Sequence, residues 1–126
     1  DIEFVSQKRF ENCRDSIELP FDFYLPFLNV CIEYDGEQHY KPIEVFGGEI
    51  GYAKTKRHDE IKTRFCKDNN INLIRIPYWE FNNIENILKQ ISYANKRNFR
   101  RDERNLQEDG RTRFESAMVQ HSCTLF

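Results

Sequence analysis

Three carboxylates, Asp22, Glu33 and Asp35, are the residues in this sequence best placed to do chemistry. They lie in the segment PFDFYLPFLNVCIEYDGEQH, residues 20–39, which reads as two alternating strands joined at a tight tip. If Pro26 faces Asn29 around a two-residue tip, Asp22 falls opposite Glu33, with β-carbons about 5 Å apart. Asp35 then lies two residues further along the same face, about 6–7 Å away by the strand rise. A slip of one residue would send Asp22 to the opposite face. Like charges facing each other across a sheet destabilise it. A cluster kept in spite of that suits a hard divalent cation, Mg2+ or Mn2+. Such an ion acidifies water and stabilises charge on a phosphate in the transition state, so the expected chemistry is phosphodiester hydrolysis. The bland alternative for any one of the three is a carboxylate facing solvent on an edge strand.

Other residues are candidates for supporting roles. His39 follows Asp35 by four residues, just past Gly36, where an imidazole can take a proton from an attacking water or contact the phosphate. Gln38 is placed to hold a water or a phosphate oxygen. Asp59 and Lys62 stand one helical turn apart; Lys62 can neutralise phosphate charge and Asp59 can orient His39. Their alternative is an ordinary surface ion pair worth a few tenths of a kcal/mol, about 0.2–0.5. Lys54, Lys56, Arg57, Arg64 and Lys67 can contact a nucleic-acid backbone, or simply form a solvated helix face. Trp79, after Pro77 and Tyr78, reads as a core residue or helix staple in preference to a base-stacking surface.

The elements that must hold these residues follow from pattern. Residues 2–10 read as a strand with Ile2, Phe4 and Phe10 on one buried side, and residues 12–20 as a polar connection. Residues 21–25 and 30–35 are the second and third strands. Residues 40–52, with Pro42, Gly47, Gly48 and Gly51, read as a loop; GGEIG lacks the strand-turn-helix context of a nucleotide-binding fingerprint. Residues 53–69 read as a helix packing His58, Ile61 and Phe65 on the sheet. Residues 71–77 form a short apolar strand, and residues 80–93 an amphipathic helix with Ile84, Ile87, Leu88 and Ile91 buried. The expected class is α/β: a mixed sheet with flanking helices and a parallel crossover between the third and fourth strands. Beyond about residue 94 the composition turns highly charged. The division expected is a domain over 1–94 and a charged C-terminal tail or arm over 95–126, read as an exposed helix, a partner-binding arm or disorder.

Composition sets the outer bounds. A chain of 126 residues with 39% hydrophobic and 32% charged side chains forms one water-compatible domain. No apolar run approaches the roughly 18 residues of a membrane span, and no signal-peptide pattern opens the sequence. The expected location is cytoplasmic, the host cytoplasm for a viral protein. The cysteines Cys13, Cys31, Cys66 and Cys123 form no CxxC or CxxH pair, which speaks against zinc and for reduced thiols. Residues 1–50 carry 11 acidic and 4 basic side chains, and residues 51–126 carry 10 and 15. That polarity suits a metal site beside a phosphate-binding surface.

FDFYLP followed by IEYDGEQH, then DEIK and LIRIPYWEF, resembles the PD-(D/E)XK nuclease superfamily. The likeness is to its very-short-patch-repair-like and EDxHD homing-endonuclease branch, found in phages and mobile elements, and spans roughly residues 2–92. The resemblance implies a restriction-endonuclease-like core and Mg2+-dependent DNA endonuclease activity, with DNA as partner and a homodimer or larger protein as context. It places Asp22, Glu33 and Asp35 at the metal, His39 at the water and Asp59 on the helix. Asp35 stands where the wider superfamily has lysine, a part that Lys62 would take. Chains of this kind begin with a helix carrying a glutamate in a Ser-x-Gly-Glu context, and this sequence starts at the following strand. A partner chain, a separate segment, or the region around Glu108 or Glu115 would have to supply that glutamate. The alternatives are a catalytically degenerate domain that binds DNA or assembles with proteins, and a purely protein-interacting domain.

Overall fold

The computed structural model describes residues 2–95 and 113–124. One sheet carries four strands in the order β1 (Val5–Arg14), β2 (Glu18–Leu25), β3 (Val30–Asp35) and β4 (Asn72–Pro77). The pairs β1–β2 and β2–β3 are antiparallel, and β4 pairs parallel to β3. The crossover between β3 and β4 contains α1 (Gly48–Asp68); α2 (Ile84–Asn95) follows β4, and α3 (Arg113–Thr124) comes last. The fold is therefore the expected mixed α/β class.

The helices cover both faces of the sheet. On one face Phe23, Leu25, Ile32, Tyr34 and Ile76 pack with Ile84 and Leu88 of α2 and with Phe114 and Met118 of α3. On the other, Leu19, Phe21 and Cys31 pack with Cys66, Ile61 and Phe65 of α1. All six residues of β3 are buried, as befits a strand covered on both faces. Cys13, Cys31 and Cys66 are buried free thiols, and Cys123 is an exposed one.

The register of the central hairpin is the one read from the sequence: Phe23, Tyr24 and Leu25 pair with Ile32, Cys31 and Val30. The tip closes with the Asn29 N–H donating to the Pro26 carbonyl, and Asn29 takes φ 53°.

The outer strand departs from simple alternation. In a regular strand, residues of equal parity share a face. Yet Phe4 and Phe23 pack on Phe114, whereas Phe10 and Phe21 pack on Phe65. Both β1 and β2 turn over where Gln7, at φ 53°, falls opposite Asp22. The single buried side expected for β1 is thus split between two faces.

Boundaries moved elsewhere too. The polar connection shrinks to the turn at residues 15–17, because β1 continues to Arg14 and β2 begins at Glu18. Residues 40–52 are more ordered than a loop: Glu44–Phe46 form a 3-10 turn and α1 starts at Gly48. Gly47, at φ 92°, makes the entry, and a Cβ at Gly51 would overlap the Phe46 carbonyl. The stretch expected to open the second helix forms a 3-10 turn, Tyr78–Asn83.

Residues 96–112, with Glu108, lie outside the described residues. The reading of an exposed helix fails for Arg113–Thr124, because Phe114, Glu115, Met118 and Ser122 are all buried. Their spacing places one face of α3 on the core. Among the described residues no helix is long and apolar enough to cross a membrane.

Candidate active site

The three carboxylates do not gather around one point. Strands β2 and β3 stop exchanging ladder bonds at Asp22 and Glu33 and exchange side-chain bonds instead. The Asp22 N–H donates to Glu33 Oε1 at 3.0 Å, and the Tyr34 N–H donates to Asp22 Oδ2 at 2.7 Å. The remaining oxygens are also engaged. Lys62 of α1 donates to Glu33 Oε2 at 3.0 Å, and His121 of α3 places Nε2 3.1 Å from Asp22 Oδ1. Asp22 and Glu33 thus sit beside each other, each met by a basic side chain from an opposite face of the sheet.

Asp35 belongs to a second group at the C-terminal end of β3. Asp35, His39 and Asp59 bring one ligand atom each to within 4.8 Å of one another, the group among the described residues that meets that condition. Of the three carboxylates expected from sequence to share a metal, Asp35 stands in this group beside His39 and Asp59, whereas Asp22 and Glu33 lie together apart from it. The reason is local: the turnover at Asp22 and the buried Lys62 absorb the first two carboxylates.

The group is built by two elements, a short turn and helix α1. The 3-10 turn Glu37–His39, entered at Gly36, brings the imidazole back over Asp35. Helix α1 presents Asp59 one turn before Lys62, so one helix serves both groups. His39 Nδ1 lies 2.9 Å from Asp59 Oδ2 and 3.7 Å from Asp35 Oδ1. An ionised carboxylate can only accept, so Nδ1 carries the proton and Nε2 is the atom left for other chemistry. Burial opposes a charged His39, but the Asp59 hydrogen bond and the Asp35 charge outweigh it and raise its pKa above the usual 6.5. Burial likewise works against an ionised Asp59; His39 and Arg75 overcome it and hold its pKa below 3.8. Asp35 is raised by burial, which exceeds the opposing pull of Arg75 and His39.

Arg75 of β4 is the residue the sequence reading missed. Its Nη1 donates to Asp35 at 3.0 Å and lies 3.4 Å from Asp59 Oδ1, while Nη2 donates to the Asp59 carbonyl at 3.3 Å. The signal was present: Arg75 interrupts an apolar strand and pairs with Glu33 in the parallel register. His121 had no comparable signal, because only the docking of α3 brings it to Asp22.

Glu33 is 3% exposed; burial first, then the Asp22 charge, push its pKa up to about 7 against the pull of Lys62. Lys62 is buried and pairs with Glu33, not with Asp59 in a surface ion pair, and its Nζ lies 5.5 Å from the Phe21 ring centroid. Gln38 folds over Gly36 and takes no part in either group. Of the basic residues on α1, Arg57 pairs with Asp15, as does His58, which the sequence had packed on the sheet. Lys56 lies over the rings of Tyr40 and Tyr52; Lys54, Arg64 and Lys67 are exposed.

No family model matches the chain, and no solved structure matches it. Three viral proteins are similar to it. Uncharacterized protein 307L of Invertebrate iridescent virus 6 is 41% identical over 64 residues, 50% of this chain and 32% of that protein. Uncharacterized protein 094L of Frog virus 3 (isolate Goorha) is 33% identical over 97 residues, 69% of this chain and 62% of the relative. Uncharacterized protein 033L of Invertebrate iridescent virus 3 is 34% identical over 61 residues, 48% and 31% of the two chains. The chain thus spans between 31% and 62% of the length of these relatives.

Proposed function

We propose that the chain is a metal-dependent DNA endonuclease domain whose reacting centre is Asp35, His39 and Asp59. The observation that carries this reading is the convergence of two carboxylates and an imidazole at the end of β3, beside the half-buried Arg75 and the buried Lys62. The donor set fits a small divalent ion, Mg2+ or Mn2+, held by Asp35 and Asp59 oxygens with water completing the shell. When bound, the ion supplies positive charge against the scissile phosphate.

The side chains divide the remaining work. Asp59 fixes His39 through Nδ1, which leaves Nε2 to accept a proton from the attacking water. Arg75 adds a planar, permanently charged group suited to a phosphate oxygen once it shifts from the carboxylates. Lys62 holds Glu33 and keeps positive charge close by. Lys54, Arg64 and Lys67 extend a basic helix surface for the DNA backbone.

Charge balance favours a second reading. Arg75 already bridges Asp35 and Asp59, and Lys62 already answers Glu33, as expected of a nuclease fold retained only to bind DNA. One experiment separates the two: supercoiled plasmid incubated with the protein in Mg2+ and in Mn2+, beside Asp35→Ala and Asp59→Asn. The endonuclease reading expects nicked or linear plasmid, lost in both variants. DNA binding that persists in chelator, with no cleavage in either metal, selects the degenerate module.

A further inference from the structure

Beside the candidate active site stands an aromatic cluster that is anchored on the core through Tyr78 but otherwise faces outward. Trp79 is 61% exposed and Tyr40 38% exposed, although burying such rings is a main source of stability. They touch each other and Tyr78: ring centroids lie 4.7 Å apart for Tyr40 and Trp79, 5.3 Å for Tyr78 and Trp79, and 5.8 Å for Tyr40 and Tyr78. Trp79 was expected in the core or as a helix staple; the 3-10 turn Tyr78–Asn83 turns it outward instead.

Its location ties the cluster to the reacting centre. Tyr40 directly follows His39 in the chain. Tyr78 directly follows Pro77, which pairs with Asp35 across β3 and β4. The cluster therefore rides on the two backbone segments that carry the centre, with a cation at its edge: Lys56 Nζ lies 5.7 Å from the Tyr40 ring centroid and 5.4 Å from that of Tyr52.

We propose that Tyr40, Tyr78 and Trp79 form a stacking platform for an unpaired base of the DNA strand presented to Asp35, His39 and Asp59. This deepens the endonuclease reading and rests on it. The three rings meet at 54°, 58° and 79°, so none closes face to face on another, and the indole keeps an open face. Every nucleobase offers a π-face that such a surface can take, and a neighbouring lysine can meet the adjoining phosphate. In a duplex those faces are hidden in the base stack, so the platform selects a base that is flipped, mismatched or in single-stranded DNA.

Trp79 is the sole tryptophan, so its emission reports directly on the platform. The test titrates the protein, in chelator, with a short oligothymidylate and with a blunt, fully paired duplex. Affinity is read separately from the anisotropy of labelled DNA. The oligothymidylate is expected to quench Trp79, and the paired duplex to leave it unchanged. Trp79→Ala is expected to weaken oligothymidylate binding about tenfold, within the range for loss of one stacked base. Trp79→Phe should retain most of that affinity, and duplex affinity should not change in either variant. DNA binding with no quenching, and equal oligothymidylate affinity in Trp79→Ala, would overturn the platform and leave the endonuclease reading standing. Failure to bind either DNA would overturn both.

Discussion

Two ion pairs, one buried and one half-buried, set the pH behaviour of the site. Glu33 and Lys62 form the first. Lys62→Met should cost about 3–5 kcal/mol at pH 8, since it strands an uncompensated carboxylate in the interior. A carboxyl whose folded pKa is raised, here from 4.5 to about 7, favours folding increasingly as pH falls through that interval. The penalty of Lys62→Met should therefore shrink towards pH 5, where Glu33 takes up a proton; denaturant titrations at the two pH values measure this, and an equal penalty would refute it. His39 and Asp59 form the second pair. His39, raised above 6.5, contributes stability below that pH and loses it as pH rises through its folded pKa. Asp59, held below 3.8, contributes above that pH and loses it as pH falls through its folded pKa. Without metal, the stability difference between the native protein and His39→Asn should peak between about pH 4 and 6.5, at roughly 1–2 kcal/mol for a charge-assisted hydrogen bond. At this scale the sequence revealed each residue's chemical type but not its partners. Asp22, Glu33 and Asp35 read as one set in the sequence because register alone cannot tell which carboxylate a lysine or arginine will claim.

Elements were legible where one physical signal dominated. The tip at Pro26–Asn29 fixed the hairpin register, and the apolar run at residues 71–77 announced β4. Where two signals competed, the pattern misled. Three glycines suggested a loop at residues 47–51, yet they serve as entry and first turn of α1, with Gly51 admitting close approach of the Phe46 carbonyl. The turnover of β1 and β2 was illegible because a single residue of positive φ, Gln7, reverses the faces of everything beyond it. That residue gives a clean test. Gln7→Val should destabilise the protein by about 1–3 kcal/mol, since a β-branched side chain is poorly tolerated at φ 53°. Gln7→Gly should be tolerated; calorimetry that ranked the two the other way would remove the turnover from the account of β1.

For the molecule as a whole, α3 is the element the composition concealed. A highly charged stretch precedes it, so the eye carries the polar reading forward past Phe114 and Met118. Those two residues close the core layer against Phe4 and Phe23, and Met118→Ala should cost about 2–5 kcal/mol for the cavity it leaves. A thermal scan that left the melting temperature unchanged would show that α3 is not part of the cooperative unit. The contact between Phe4 and Phe114 joins residues separated by most of the sequence. During synthesis, β1 to β4 and α2 leave the ribosome with one apolar face of the sheet only partly covered, and its cover is completed only once Met118 has emerged. The nascent chain thus passes through an interval in which it is most exposed to chaperones and to its own neighbours on the polysome.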